Sequence, residues 1–232
     1  QQDPQALSGE VFKSEWLAAR INGVSEREHA TARKNLIAIC ESAAAAETVI
    51  RKHPPLAEAQ RRGLKAVHIL LVGPIETAAP LMAAAANASI AIGFDRFMAT
   101  FVAGEAGGAR AAFRARFPTL PDDVIDTAFV DSPLGVVSDD GVEKFHQRCA
   151  ACPPCCAYVL DNAHGESLSR AIRLREAAER DGLFSGPIFV QLREAGLLPP
   201  EPQNEDMLIE EFQLRSFGSW RDIFLGAGAL SE

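Results

Sequence analysis

No basic cluster interrupts this chain, and its net charge of −8 comes from acids spread along its length. A nucleic-acid-binding surface needs grouped Lys and Arg, so that class is excluded. The opening residues, QQDPQALSGE, hold neither a basic region nor an apolar core, so no signal peptide is read there. The chain does not begin with Met, which leaves a preceding segment open. A strongly apolar run of about 20 residues, the length a membrane span needs, is also lacking. Residues 77–94 carry no charge, but they include Pro80, Asn87 and Ser89 and owe their apolarity mostly to alanine. They are rejected as a span. No Ser-His-Asp or paired-carboxylate set is legible, so no catalytic residue is assigned. Five cysteines without a leader favour a reducing compartment, and the chain is expected to be cytoplasmic or the cytoplasmic part of a membrane protein.

What is present is core material. Of the 232 residues, 47% are apolar, enough to bury one large domain with or without helical additions. The organising stretch runs over residues 64–95. It opens with a short apolar, β-branched run at 66–72, which predicts a strand buried on both faces. Gly73 ends that run, an alanine-rich helical stretch follows, and a second apolar run at 89–94 stops at Asp95. Strand, glycine turn, helix, strand and terminal acid form a βαβ unit. The distance from Gly73 to Asp95 matches the spacing of a ribose-binding carboxylate in a dinucleotide fold. The turn departs from G-x-G-x-x-G: Ile75 replaces the second glycine, and Ala78 stands in for the third. Glu76 adds a negative charge near a helix N-terminus that would otherwise attract an anion.

Before this unit, a helix carrying Trp16, Leu17 and Ile21 is expected, then a second from the capping box at Ser25 to about Lys52. After Asp95, residues 96–117 read as helix with a glycine-rich interruption at 104–108. Strands follow at 126–131, 157–161 and 187–192, separated by helices at 141–148 and 167–180. The pattern predicts an α/β fold, a doubly wound, Rossmann-like parallel sheet in order 3-2-1-4-5. Residues 1–63 form an N-terminal helical arm in this reading, 64–198 the nucleotide-binding domain, and 199–232 a C-terminal extension. Gly73, Asp95, Asp131, Asp161 and Asn162 all end predicted strands and would share one rim. Asp95 would accept from both ribose hydroxyls and repel a 2′-phosphate, unless Arg96 turned inward to accommodate it.

The segments HILLVG, AAFRARFPTLPDDV and AYVLDNAHGESLSRAIRLREAA, followed by PIFVQLREAGLL, resemble the TrkA N-terminal type, or RCK, domain. The likeness covers residues 65–198 and rests on the order of strands and the character of their ends. It implies a regulatory module of potassium channels and transporters that binds NAD(H) or an adenine nucleotide. It also implies a homo-oligomer and a membrane transport domain before residue 1. By this resemblance Gly73 is the first phosphate-loop glycine, Asp95 the acid after the second strand, and Asp131 and Asp161 the acids after the third and fourth.

His146, Cys149, Cys152, Cys155 and Cys156 form a compact run that would satisfy a metal site by count, and Cys152-Pro-Pro-Cys155 has redox spacing. Zinc sites usually separate two ligand couples, and thioredoxin-type motifs open a helix, whereas a strand follows here. Structural thiols, a metal site and a redox role all stay open, at the sheet edge opposite the nucleotide crevice. His68 lies within the first strand and reads as a satisfied core residue, while His164, after the fourth strand, could reach the crevice but is not counted among the site residues. The competing functions are a nucleotide sensor, a metal- or redox-responsive protein, and a bare scaffold for protein contact. An NAD-dependent oxidoreductase is not favoured, because the 34 residues after Leu198 are too few for a catalytic domain.

Overall fold

The computed structural model describes residues 8–12, 36–90, 96–120, 125–131, 139–160, 166–191 and 209–218. Strands β1 (Ser8–Phe12) and β2 (Leu36–Cys40) pair in parallel as a separate two-stranded sheet. Helices α1 (Glu41–Lys52) and α2 (Pro55–Arg61) lead to β3 (Val67–Val72), which is buried at every position. Then follow α3 (Ile75–Ile90), β4 (Phe97–Ala103), α4 (Ala106–Arg116), β5 (Ile125–Asp131) and α5 (Asp139–Ala151). The series closes with β6 (Cys156–Val159), α6 (Glu166–Asp181), β7 (Ile188–Gln191) and β8 (Leu214–Phe217).

The main sheet has six strands in the order β5-β4-β3-β6-β7-β8, all parallel. Counting from β3, this is 3-2-1-4-5-6, the doubly wound arrangement, where the sequence predicts five or six strands in the order 3-2-1-4-5. Its strands alternate between two buried faces, as a period of two requires. Ile69, Leu71, Tyr158, Leu160, Phe189 and Phe217 face α1, α3 and α4. Leu70, Val72, Val159, Ile188, Val190 and Leu214 face α6. Parallel strands covered on both sides need continuous apolar runs, and VHILLV is one.

Three expectations are corrected. The second strand is not at 89–94: Ser89 and Ile90 close α3, and the strand is Phe97–Ala103, inside the stretch expected to be helical. The alanine run carries the helix on to Ile90, while FMATFVA lies between β3 and β5 and buries its first six side chains on the two faces of the sheet. The glycines at 104–108 are therefore a strand-to-helix junction. In the arm, β2 occupies 36–40, where one continuous helix was expected, because LIAIC is apolar and β-branched and finds a parallel partner. The helices expected around Trp16 and from Ser25 lie outside the described residues up to that strand. Finally, β8 arises within the C-terminal extension and completes the sheet. No helix among the described residues is long and apolar enough to cross a membrane.

Candidate functional site

The sheet order reverses between β3 and β6, which leaves a crevice beyond their C-terminal ends. Gly73 stands at its mouth with φ of 135°, a conformation that favours glycine. The close approach it permits is to the protein itself. A Cβ at Gly73 would overlap the carbonyl oxygen of Leu160 and lie 2.9 Å from its carbonyl carbon. The Gly73 N–H donates to the Val102 carbonyl at 3.1 Å, and Leu160 N–H donates to Val72 O at 2.8 Å. Gly73 thus locks β3 to both neighbours at the rim.

The first turn of α3 follows. The Pro74 carbonyl accepts from the N–H groups of Thr77 and Ala78 and from the Thr77 hydroxyl at 3.0 Å. Ile75 and Glu76 come at the start of the helix, where N–H groups have no intrahelical partner. The Ile75 side chain is buried with the α3-facing core, so it packs inward rather than over the turn. Glu76 is exposed.

Asp131 ends β5 on the same rim, and its carboxylate accepts from the Ala106 N–H at the start of α4. The acid that follows the second strand is Glu105, two residues beyond Ala103. Its carboxylate lies over the first turn of α4, where a Cβ at Gly108 would stand 3.3 Å from Oε2. Two carboxylates therefore complement the positive end of α4. Asp95 precedes β4 instead of following the second strand, and Asp95, Asp161, Asn162 and His164 lie outside the described residues. Arg96 belongs to the opposite edge: its carbonyl accepts from Val67 N–H at the start of β3, and its guanidinium binds Asp126. Glu105 had a local signal, an acid just after an apolar run and before glycines. The strand misassignment hid it.

The opposite, N-terminal edge of the sheet carries the cysteines and a polar chain. Arg148 Nε–H donates to Thr100 Oγ1 at 2.9 Å. Thr100 Oγ1 and His68 Nε2 are 2.8 Å apart, and His68 Nδ1 is 2.6 Å from the Cys152 carbonyl. A carbonyl only accepts, so Nδ1 carries the proton, and in the neutral ring Nε2 accepts from the Thr100 hydroxyl. Burial, helped by the nearby Arg148 guanidinium, lowers its pKa to about 4 although the Cys152 carbonyl favours the protonated form. Arg148 also donates to the Asp126 carbonyl and carboxylate, both at 2.9 Å. Arg62 holds the Cys-Pro-Pro-Cys turn through the carbonyls of Pro154 and Cys155. None of these long-range pairings has a local sequence signal.

Cys149, Cys155 and Cys156 are buried, and Cys152 is half-buried. Burial pushes the Cys149 thiol up to about 12 and raises those of Cys152 and Cys156. Protonated thiols are poor nucleophiles and poor ligands. Cys155 and Cys156 Sγ are 3.7 Å apart, and Cys156 contacts the buried Tyr158 hydroxyl at 3.6 Å. Among the described residues no group of three or more His, Cys, Asp or Glu converges as a metal site. His146 lies on α5 beside Phe145, ring centroids 6.2 Å apart.

No family model matches the chain, and no curated protein or solved structure is significantly similar to it.

Proposed function

We propose that this chain is a ligand-sensing regulatory module that takes NAD(H) or an adenine nucleotide at the crevice between β3 and β6. The observation that supports it most is the reversal of strand order there, with Gly73 and the start of α3 at its mouth. The RCK-like pattern supplies the finer reading, control of a potassium channel or transporter by a homo-oligomer joined to a membrane domain. In this reading Glu105 takes the ribose hydroxyls, since it follows the second strand. Its charge disfavours a 2′-phosphate, so NAD(H) is preferred to NADP(H).

A second reading, a bare scaffold for protein contact, is favoured by a specific observation. The Gly73 N–H is already bonded to Val102, and Ile75 is core material where a phosphate loop has glycine. A thermal-shift screen with NAD⁺, NADH, NADP⁺, ATP, ADP and AMP separates the two. A ligand at 100 times its dissociation constant stabilises the fold by about 2.7 kcal/mol. Glu105→Ala is expected to weaken that ligand by about 1.5–3 kcal/mol, as loss of hydrogen bonds to a charged group does. If none of the six moves the melting temperature, the scaffold reading stands.

A further inference from the structure

The outward side of α3 carries no charge. After Glu76 the helix has no ionisable residue, and Pro80, Ala83, Ala84 and Ala88 share one side of it at helical spacing. α6, which also covers the sheet, instead exposes Arg173 and Glu176. An apolar outward side calls for a cover. Between α1 and α3 that cover is missing: a recess of about 710 Å³ opens there, bounded further by α2 and the end of α4. Its volume is that of a small-ligand pocket.

The recess has two unlike ends. α3 runs from the end of β3 back to the start of β4, so its last turns lie toward the N-terminal edge of the sheet. α1 runs the same way. A Cβ at Gly218, just beyond β8, would stand 3.7 Å from the Ala45 Cβ, whereas His53 reaches the Phe189 ring within β7 at 5.1 Å. Ala43, Pro80 and Ala83 therefore line one end, and Arg51, Gln60, Asn87 and Arg116 the other. Buried Ile50 and Leu56 form the floor. Along each helix the lining extends about 12 Å, from Ala43 to Arg51 and from Pro80 to Ala88.

The polar end brings two guanidinium groups and no carboxylate. Glu47, the acid of the lining, comes one turn before Arg51 on α1. Neither of these two side chains has a hydrogen-bond or ion-pair partner among the described residues. On a chain of net charge −8, this end of the recess is thus locally positive. An apolar trough with cations at one end fits an amphipathic anion.

We propose that the recess between α1 and α3 binds a medium-chain aliphatic carboxylate, its alkyl chain on the alanine end and its carboxylate on Arg51. Guanidinium and carboxylate match as a two-bond pair, and Gln60 and Asn87 bring amide donors to the same end. Removal of the alkyl chain from water supplies the remaining affinity. The site lies at the other end of the sheet from the nucleotide crevice and does not rest on that reading.

Calorimetric titration of the full chain with decanoate, decanol and decylamine tests this. Decanoate is expected to bind at least about tenfold more tightly than the alcohol or the amine. Arg51→Gln should remove that preference and leave decanol binding unchanged. Ala83→Phe, which fills the apolar end, should abolish decanoate binding. The proposal is overturned if decanoate does not bind by about 1 mM, or if the amine or alcohol binds as tightly. It is also overturned if Arg51→Gln keeps the preference or Ala83→Phe keeps wild-type affinity. Should a variant fail to fold, hydrogen exchange of the wild type decides. Decanoate that slows exchange in α1 and α3 sustains the site, and exchange slowed only elsewhere, or not at all, overturns it.

Discussion

Gly73 and Leu160 meet backbone to backbone, so closely that any side chain at position 73 would overlap the Leu160 carbonyl. A glycine that reads as a phosphate-loop residue is thus already required by the packing of β3 against the segment that follows β6. Gly73→Ala is expected to cost about 2–4 kcal/mol through overpacking and an unfavourable φ. Urea denaturation should show a lower midpoint at unchanged slope. A variant as stable as the wild type would show that the rim relaxes. Loss of nucleotide binding in this variant alone would say nothing about the crevice.

His68 makes stability depend on pH. Its folded pKa of about 4 lies below the ordinary 6.5, so between those values the unfolded chain binds a proton that the folded chain excludes. Stability should therefore fall as pH drops through that window, by about 3 kcal/mol in all, and level off below it. Urea midpoints from pH 8 to pH 4 measure the fall. His68→Gln should flatten it; an unchanged slope would assign the effect to other groups.

Arg175 lies buried on α6 and donates to three carbonyls, those of Phe212, Gly186 and Gln213. It thereby fastens the approach to β8. Arg175→Met should leave those acceptors unsatisfied and cost about 2–4 kcal/mol. Hydrogen exchange should rise at 214–217 before it rises in β3. Uniform acceleration across the sheet would argue that the arginine supports the whole fold instead.

Among the thiols at 149–156, only Cys152 is partly open to solvent. A disulfide reagent at neutral pH should modify Cys152 slowly and the other three only as the protein unfolds. Prompt modification of Cys155 or Cys156 would contradict their burial.

The fold was largely legible because buried parallel strands leave continuous apolar runs, and four of the six main strands fall where such runs predict them. β4 was lost because the alanine-rich helix continues two residues into the expected strand, while FMATFVA was absorbed into a helical stretch. That single slip carried the acid expected after the second strand from Glu105 to Asp95 and set Arg96 at the wrong end of the sheet. β8 was missed because LRSF is short and joins the sheet only through tertiary pairing. The chain from Arg148 through Thr100 to His68 joins α5, β4 and β3, and pairings that span tens of residues leave no spacing to read.

The clamp that Arg175 places on the chain before β8 also bears on synthesis. Five strands of the sheet are made by Gln191, yet the guanidinium meets two of its acceptors only when Phe212 and Gln213 have been polymerised. At about 5–20 residues per second, the ribosome needs roughly one to five seconds to reach Leu214 from Gln191. Until β8 is in place, the outer edge of β7 has no strand beside it among the described residues. A chain that lacks β8 therefore offers an unpaired edge to other chains.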